Sequence, residues 1–339
     1  MADAEPSSHT APAGFGAGVR RAREGWRSLP LALRISLGAV TILFVLWLVL
    51  FVTKGRFLRG PFERFVGHRL QRNVTVGGDF QLYFAPVTLK FLASDMRVSN
   101  VPWASAPDVF RADLIDARIA PLSLLFGSKY RVHWLTLRNA ATDLEWSKDH
   151  KHNSWTFGDP HKPGKPLNLP LIRTALLEGT TLRYRDPRLQ LATEIAFRTT
   201  RAQDTRLASA IQLTGTGTMR ARPFVLSGSL LSPNQTLAGG KNQLVLHADS
   251  NSTRLDVTGT LPGATQLEGS DLRVATRGPN LRLLFDFLGV AILDTRDYRF
   301  TSALTKQGGE WRFTHLKGHF GASDLSGGLT VSLPDNRLL

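Results

Sequence analysis

The apolar positions of this chain first run together and then alternate. Ile35 to Val52 (ISLGAVTILFVLWLVLFV) is an 18-residue stretch without a charged side chain. At ~1.5 Å rise per residue it is just long enough to cross a bilayer as a helix, with Leu29–Leu33 available to lengthen it. Arg20, Arg21, Arg23, Arg27 and Arg34 precede it, and Lys54, Arg56 and Arg59 follow it. A secretory signal has a shorter apolar run nearer the start and a small-residue cleavage site. Here the run passes into Val-Thr-Lys-Gly-Arg instead. The pattern predicts a single retained transmembrane helix over 31–53, with Ile35, Leu43, Phe44, Leu46, Trp47 and Val52 among its anchor residues. Residues 1–28, basic and rich in Ala, Gly, Ser and Pro, are expected to be a disordered tail.

After the span, FLRGPFERFVGHRL (57–70) places Phe62, Phe65 and Val66 on one helical face. Such a helix fits either the membrane surface or the end of a sheet that it plugs. From Val74 the period becomes two. Asn73–Val76, Gly77-Gly78 and Asp79–Phe84 read as a hairpin. Thr88–Phe91, Met96–Ser99, Val109–Ile119, Val132–Arg138 and Thr142–Trp146 read as further strands. Within Val109–Ile119 the apolar phase slips from Phe110, Ala112 and Leu114 to Ile115, Ala117 and Ile119, as a bulge would require. The Pro-rich stretch 160–166 is a stiff polar break, so a subdivision near 158–168 is expected. Beyond it a loose repeat recurs, an alternating strand ending in an apolar–x–Gly step: Leu213-Thr-Gly215, Leu226-Ser-Gly228, Val257-Thr-Gly259, Leu267-Glu-Gly269, Leu316-Lys-Gly318 and Leu325-Ser-Gly327. Copies about ten residues apart suit consecutive antiparallel strands. Two helices are expected to interrupt, Leu169–Glu178 and Asn280–Gly289, the second with Leu281, Leu284, Phe285 and Leu288 on one stripe.

Composition adds mainly exclusions. The formal charge is +15, from 42 Lys+Arg against 27 Asp+Glu. Because Arg is spread along the whole length and not gathered on one helix or patch, a solvated strand face explains the charge and nucleic-acid binding is not expected. With no cysteine, disulfides, thiolate metal sites and cysteine catalysis are excluded. His150 and His152 in Asp149-His-Lys-His152 have no evident third metal ligand and read as a polar turn. Gly215-Thr-Gly217-Thr218 lacks the Lys and the helix of a phosphate loop. Asp286, Asp294 and Asp297 are near in sequence but divided between helix and loop. No metal, cofactor or catalytic residue is predicted, and the chain is not expected to be an enzyme.

Three stretches in order resemble the AsmA family of bacterial envelope proteins. The first runs from Phe84-Ala-Pro86 through Met96-Arg-Val-Ser-Asn100 to Pro121-Leu-Ser-Leu-Leu-Phe-Gly127. The second is Val132-His-Trp-Leu-Thr-Leu137 with Asp143-Leu-Glu145 and Asn153-Ser-Trp-Thr-Phe157. The third is Gly278-Pro-Asn280, Asp294, Tyr298-Arg-Phe300, Trp311-Arg-Phe313 and Asp324-Leu-Ser-Gly-Gly-Leu-Thr-Val331. The resemblance covers most of 57–339. Family members run on past the position of Leu339, so it implies a shortened form.

The resemblance implies a mainly β protein: a single N-terminal transmembrane helix in the inner membrane, a cytoplasmic tail, and a long folded-over antiparallel β-sheet in the periplasm that forms an apolar groove, with a few short helices. It implies phospholipids as partners, a role in lipid transport or homeostasis between the inner and outer membranes, and a partner protein at the outer membrane or in the periplasm. The alternative is a scaffold for outer-membrane protein assembly that acts through its sheet edges. The candidate groove strip is Leu82, Phe84, Phe110, Leu114, Leu135, Leu137, Leu144, Trp146, Leu182, Tyr184, Leu213, Leu255 and Val257, with Arg183 and Arg185 facing outward. By pattern alone the same side chains fit a closed core equally well. Some twenty strands at ~4.8 Å would extend to roughly 100 Å.

Overall fold

The computed structural model describes residues 31–85, 88–119, 131–159, 171–172, 175–200, 207–233, 242–250, 253–262, 268–288, 293–308 and 310–332. The predicted tail 1–28 and the break at 160–166 lie outside them. The chain divides into two compact units, Met1–Val52 and Thr53–Leu339. The first holds nearly all of helix α1 (Leu31–Thr53), whose segment Ile35–Thr53 is long and apolar enough to cross a membrane and buries none of its length. Ile35, Leu43, Phe44, Leu46 and Val52 are exposed, and Trp47 stacks on Phe51 at 5.3 Å. A helix apolar on every side and left uncovered is what a lipid environment favours.

The second unit is mainly β. Among the described residues its α-helices are α2 (Arg59–Leu70) and α3 (Leu281–Leu288). The first strands are β1 (Val74–Val76), β2 (Phe80–Ala85), β3 (Thr88–Ser99), β4 (Asp108–Ile119), β5 (Arg131–Arg138) and β6 (Ala141–Glu145). There follow β7 (Leu171–Ile172), β8 (Ala175–Glu178), β9 (Thr180–Asp186), β10 (Leu191–Thr200), β11 (Leu207–Met219) and β12 (Arg222–Pro233). The last are β13 (Asn242–Ser250), β14 (Thr253–Leu261), β15 (Asp271–Gly278), β16 (Tyr298–Gln307), β17 (Glu310–Phe320) and β18 (Ser323–Ser332). All 18 belong to one sheet.

Several of these are halves of one bent strand. β1 and β2 both pair with the same edge of β3, in nearly the same register, so Gly77-Gly78 is a bulge within a continuous strand and not the expected hairpin turn. The Gly77 and Gly78 amides donate to the carbonyls of Asp95 and Ser94, at 2.9 and 3.0 Å. β5 and β6 lie along β4 in one register, and β7, β8 and β9 run parallel to β5 and β6 in one register. The bends line up. Asp95 (φ 49°) faces Asp113, which accepts a 2.8 Å hydrogen bond from the Asn139 side chain, and Asn139 (φ 47°) lies beside Gly179 (φ 59°). Asp95, Asn139 and Gly179 are left-handed, and a residue of this kind shifts the side-chain phase of its strand by one. The slip within Val109–Ile119 falls where β4 crosses this line, at Asp113 opposite Asp95. With the halves merged, fourteen strand positions remain across the sheet, roughly 60 Å along the hydrogen-bonding direction and not the roughly 100 Å expected.

The segment expected as a helix, Leu169–Glu178, is strand where it is described: Leu135 pairs with Ala175 and Leu137 with Leu177. The free edge of β5 supplies a ladder for the described part of this apolar run, and that outweighs its helix propensity. The helix expected at Asn280–Gly289 is present as α3, with the Asn280 side chain capping the Arg282 amide at 2.9 Å.

One face of β1–β9 is roofed. On α2, Phe62 sits between Phe80 (5.1 Å) and Phe91 (5.4 Å), and Val66 and Leu70 pack with it. Phe65, expected on the same face, points out and is 72% exposed. Glu63 ties the helix down by accepting the Val76 amide at 2.8 Å. Beside it the segment 146–157 folds back and inserts Trp155 edge-on against Trp146 at 5.3 Å. Beneath this roof lie Val74, Val76, Phe80, Ala93, Met96, Val98, Val109, Ala112, Ile115 and Leu144. From β9 onward each strand pairs antiparallel with the next, out to β18.

Candidate functional site

Strands β10 to β18 present an apolar face that no described helix or strand covers along most of its width. β10 and β11 alternate strictly between half-buried and exposed residues. The exposed row carries Glu194, Arg198, Gln212, Thr214 and Thr216; the half-buried row carries Ile195, Phe197, Ile211 and Leu213. Register extends the second row across the sheet. Phe197, Leu213, Gly228, Leu246, Val257 and Val274 are successive partners, as are Leu182, Ile195, Gly215, Leu226, Ala248, Leu255, Thr276 and Phe300. β11 to β14 pack mainly against their ladder neighbours. Among the described elements only α3 lies over this face, held at one end by the 2.6 Å ion pair of Asp286 with Arg222 on β12. At the opposite strand ends Leu230, Leu261, Leu272 and Leu304 form a buried cluster with Trp311, over whose ring the Lys306 ammonium lies at 5.8 Å.

The apolar–x–Gly repeat now has a physical meaning. Gly215 stands opposite Leu226, Gly228 opposite Leu213 and Leu246, Gly217 opposite Phe224, and Gly318 opposite Phe300. A Cβ on Gly217 would meet the Phe224 ring at 2.5 Å and the Ala192 carbonyl oxygen at 2.6 Å. The large side chain of one strand therefore lies flat over a glycine of the next, a packing that keeps the apolar floor low and continuous. Leu267, in one copy of the repeat, lies outside the described residues.

The predicted strip divides between the two regions. Leu82, Phe110, Leu135, Leu137, Leu182 and Tyr184 pack partly buried against the roofed core. Leu144 and Trp146 are within that core, 5% and 4% exposed, and so present no open surface. Phe84 is exposed at the strand end, and Leu114 is half-buried next to the bend. Leu213, Leu255 and Val257 are half-buried on the floor, Val257 at its border with the Leu230–Leu304 cluster. The floor residues that the strip omitted, Ile195, Phe197, Leu226, Leu246 and Val274, were marked by the same alternation and by the glycine repeat.

Polar groups gather on the opposite face, where Arg183 and Arg185 point as expected. Arg185 donates to Asp143 (3.2 Å), Glu145 (2.9 Å) and the Ser105 hydroxyl (2.6 Å), while Arg183 pairs with Glu194 at 2.9 Å. Burial pushes the Asp143 carboxyl above its ordinary value, against the pull of Arg185 and Arg183. Burial also acts to raise Glu145, but the hydroxyl and amide of Ser105, with Arg185, bring it below its ordinary value. The turn 147–152 is anchored by His150, stacked on Trp146 at 4.2 Å with Nε2 3.1 Å from the buried Asp186 carboxylate. Asp186 also accepts the Arg188 and Leu189 amides. Burial and then Asp186 push the Tyr184 hydroxyl up to about 12. This pair holds a loop on a strand. Among the described residues no group of His, Asp and Glu is placed to hold a metal ion. Asp286 and Asp294 are engaged by Arg222 and Arg282, not by each other. Gly215-Thr-Gly217 is mid-strand. The chain matches no family model, no curated protein and no solved structure.

Proposed function

We propose that this is a non-enzymatic, membrane-anchored protein that accommodates phospholipid acyl chains along the uncovered floor of β10–β18 and so contributes to lipid transport or homeostasis between the inner and outer membranes of a bacterial envelope. The observation that carries the reading is the asymmetry of that part of the sheet, sharpest in β10 and β11, where exposed residues alternate with a half-buried apolar row that register continues across the sheet with no described layer over most of it. A sheet face of this kind gains by burying apolar surface against a partner. Acyl chains require only a continuous apolar strip with no directional chemistry, which is what Phe197, Leu213, Leu226, Leu246, Val257 and Val274 offer. Leu137 and the rest of the roofed set then serve as structural core. The resemblance to the AsmA family agrees with this reading and supplies the compartment, inner membrane with the β unit in the periplasm. The mechanism is passive: chains slide along the floor while head groups stay in water.

The test places a photo-crosslinking residue at Leu213, Leu246 or Val257 of the full chain in cells, and at Thr214 or Thr258 on the outer face as controls. Phospholipid adducts, identified by mass spectrometry, are expected at the floor positions. Equal labelling of both faces, or none at the floor, refutes the reading.

A second reading has its own observation. β18 pairs only with β17 among the described residues, and its Leu325 and Leu329 are 43% and 55% exposed. Such an edge can accept a further strand, as a scaffold for outer-membrane protein assembly requires. Protein adducts at Leu325 with no lipid adducts at Leu246 would favour it.

A further inference from the structure

Across β14 to β17, on the water-facing side, four basic residues stand in one cross-strand row: Arg254 opposite Arg277, Arg277 opposite Arg299, and Arg299 opposite His319. Like charges directly opposite in an antiparallel ladder repel, so such a row needs compensation. The outer members have it. Arg254 donates to Asp256 at 3.1 Å and stands opposite Asp249, and His319 stands opposite Asp324. The two central members do not. Arg277 and Arg299 are exposed and make no side-chain hydrogen bond or ion pair to any described residue. They line a cleft at the strand ends with Gly278, Pro279, Asp297, Tyr298 and His319.

We infer that this cleft binds a phosphate group, held by the paired guanidinium groups of Arg277 and Arg299 with His319 at its side. Two adjacent guanidinium groups present forked donors that match phosphate oxygens, and a bound anion removes the repulsion that the empty row carries. The one carboxylate of the lining, Asp297, accepts hydrogen bonds only, and so favours a phosphate that carries a neighbouring ammonium or hydroxyl, as the head group of a phospholipid does. The cleft lies where β15 ends and β16 begins. There the apolar floor, with Phe300, is on one side of the sheet and the basic row on the other. A lipid chain on the floor could thus have its head group at the rim. The phosphate site does not depend on that arrangement; only the identification of its source as lipid rests on the proposed function.

The experiment uses the full chain in maltoside micelles, which contain no phosphate, and follows the His319 ring resonances and the melting temperature while inorganic phosphate or glycerophosphoethanolamine is added. Both probes should shift the His319 signals saturably and raise the melting temperature, since a ligand of the folded state stabilises it. The double variant Arg277→Gln/Arg299→Gln should bind at least about tenfold more weakly, from the loss of two charge-assisted hydrogen-bonding groups. It should also melt no lower than the parent without ligand, because it removes a like-charge pair. Arg312→Gln, whose Arg is paired with Glu310 outside the cleft, should bind as the parent does. Tighter binding of glycerophosphoethanolamine assigns the site to a lipid head group. Equal or tighter binding of inorganic phosphate keeps the site and removes its link to lipid. No saturable shift, or equal affinity in the double variant, overturns the inference.

Discussion

Putting a lysine on the floor and another in the roofed core separates an open apolar face from a closed one. Leu144 is 5% exposed, in the core cluster with Trp146, Trp155 and Tyr184, and the Asp186 carboxylate on the paired strand is already engaged by His150. Leu144→Lys loses the burial of one leucine, about 2 kcal/mol, and leaves an unpaired ammonium where desolvation costs several kcal/mol more. A total of about 5 kcal/mol is a third or more of the stability of an ordinary domain. Leu246 lies in a half-buried row between Gly228 and Val257. There Leu246→Lys keeps its aliphatic stem on the floor and carries its charge out to water, for about 1 kcal/mol. Urea unfolding of the full chain in micelles, followed by tryptophan fluorescence and circular dichroism, measures the difference. Should Leu144→Lys fail to accumulate, the alanine pair keeps the comparison: about 3 kcal/mol for Leu144→Ala with its cavity, against about 1.5 kcal/mol for Leu246→Ala, where no closed cavity forms. Equal losses at the two positions would mean that the floor is as covered as the core, and the lipid reading would lose its basis.

Gly179→Ala should destabilise by about 1–2 kcal/mol, because it puts a Cβ on a left-handed residue and 2.5 Å from the Asn139 side-chain oxygen; an unchanged unfolding midpoint would show that the line of bends is not constrained there. In acid, Asp143 and Glu145 should act in opposite directions. Asp143, raised by burial, binds its proton more readily folded than unfolded, so its contribution is favourable below the ordinary Asp value and lost as pH rises through its folded value. Glu145, lowered, stabilises above the ordinary Glu value and ceases to do so as pH falls through its folded value. Carboxyl carbon shifts followed by NMR between about pH 2 and 6 should show Asp143 titrating above, and Glu145 below, their values in the unfolded chain; the reverse order of shifts would contradict the packing of the Ser105–Arg185 cluster.

The period of two in β10 to β18 and the apolar run of α1 were legible directly, because a strand's two faces and a bilayer's thickness are written in consecutive side chains. The slip at Asp113 was legible as well, although its cause was not. The bend needs Gly77-Gly78, Asp95, Asn139 and Gly179 side by side, and only pairing between distant strands puts them in line. Leu169–Glu178 was misread for a related reason: a short apolar run does not show whether an open ladder edge is waiting for it, and the edge of β5 decided the matter. The candidate strip falls partly in the roofed core and partly on the floor of β10 to β18. Alternation along Val109–Ile119 or Thr142–Trp146 marks a face as apolar but is silent on whether anything lies over it. α2 and the Trp155 segment, remote in sequence, cover Leu144 and Trp146, and no described element covers Leu213, Leu246 and Val257. Polarity along one strand is a local property, so the sequence by itself determined which face is apolar. Cover is a non-local one, so only the tertiary structure decided where that face is core and where it is surface.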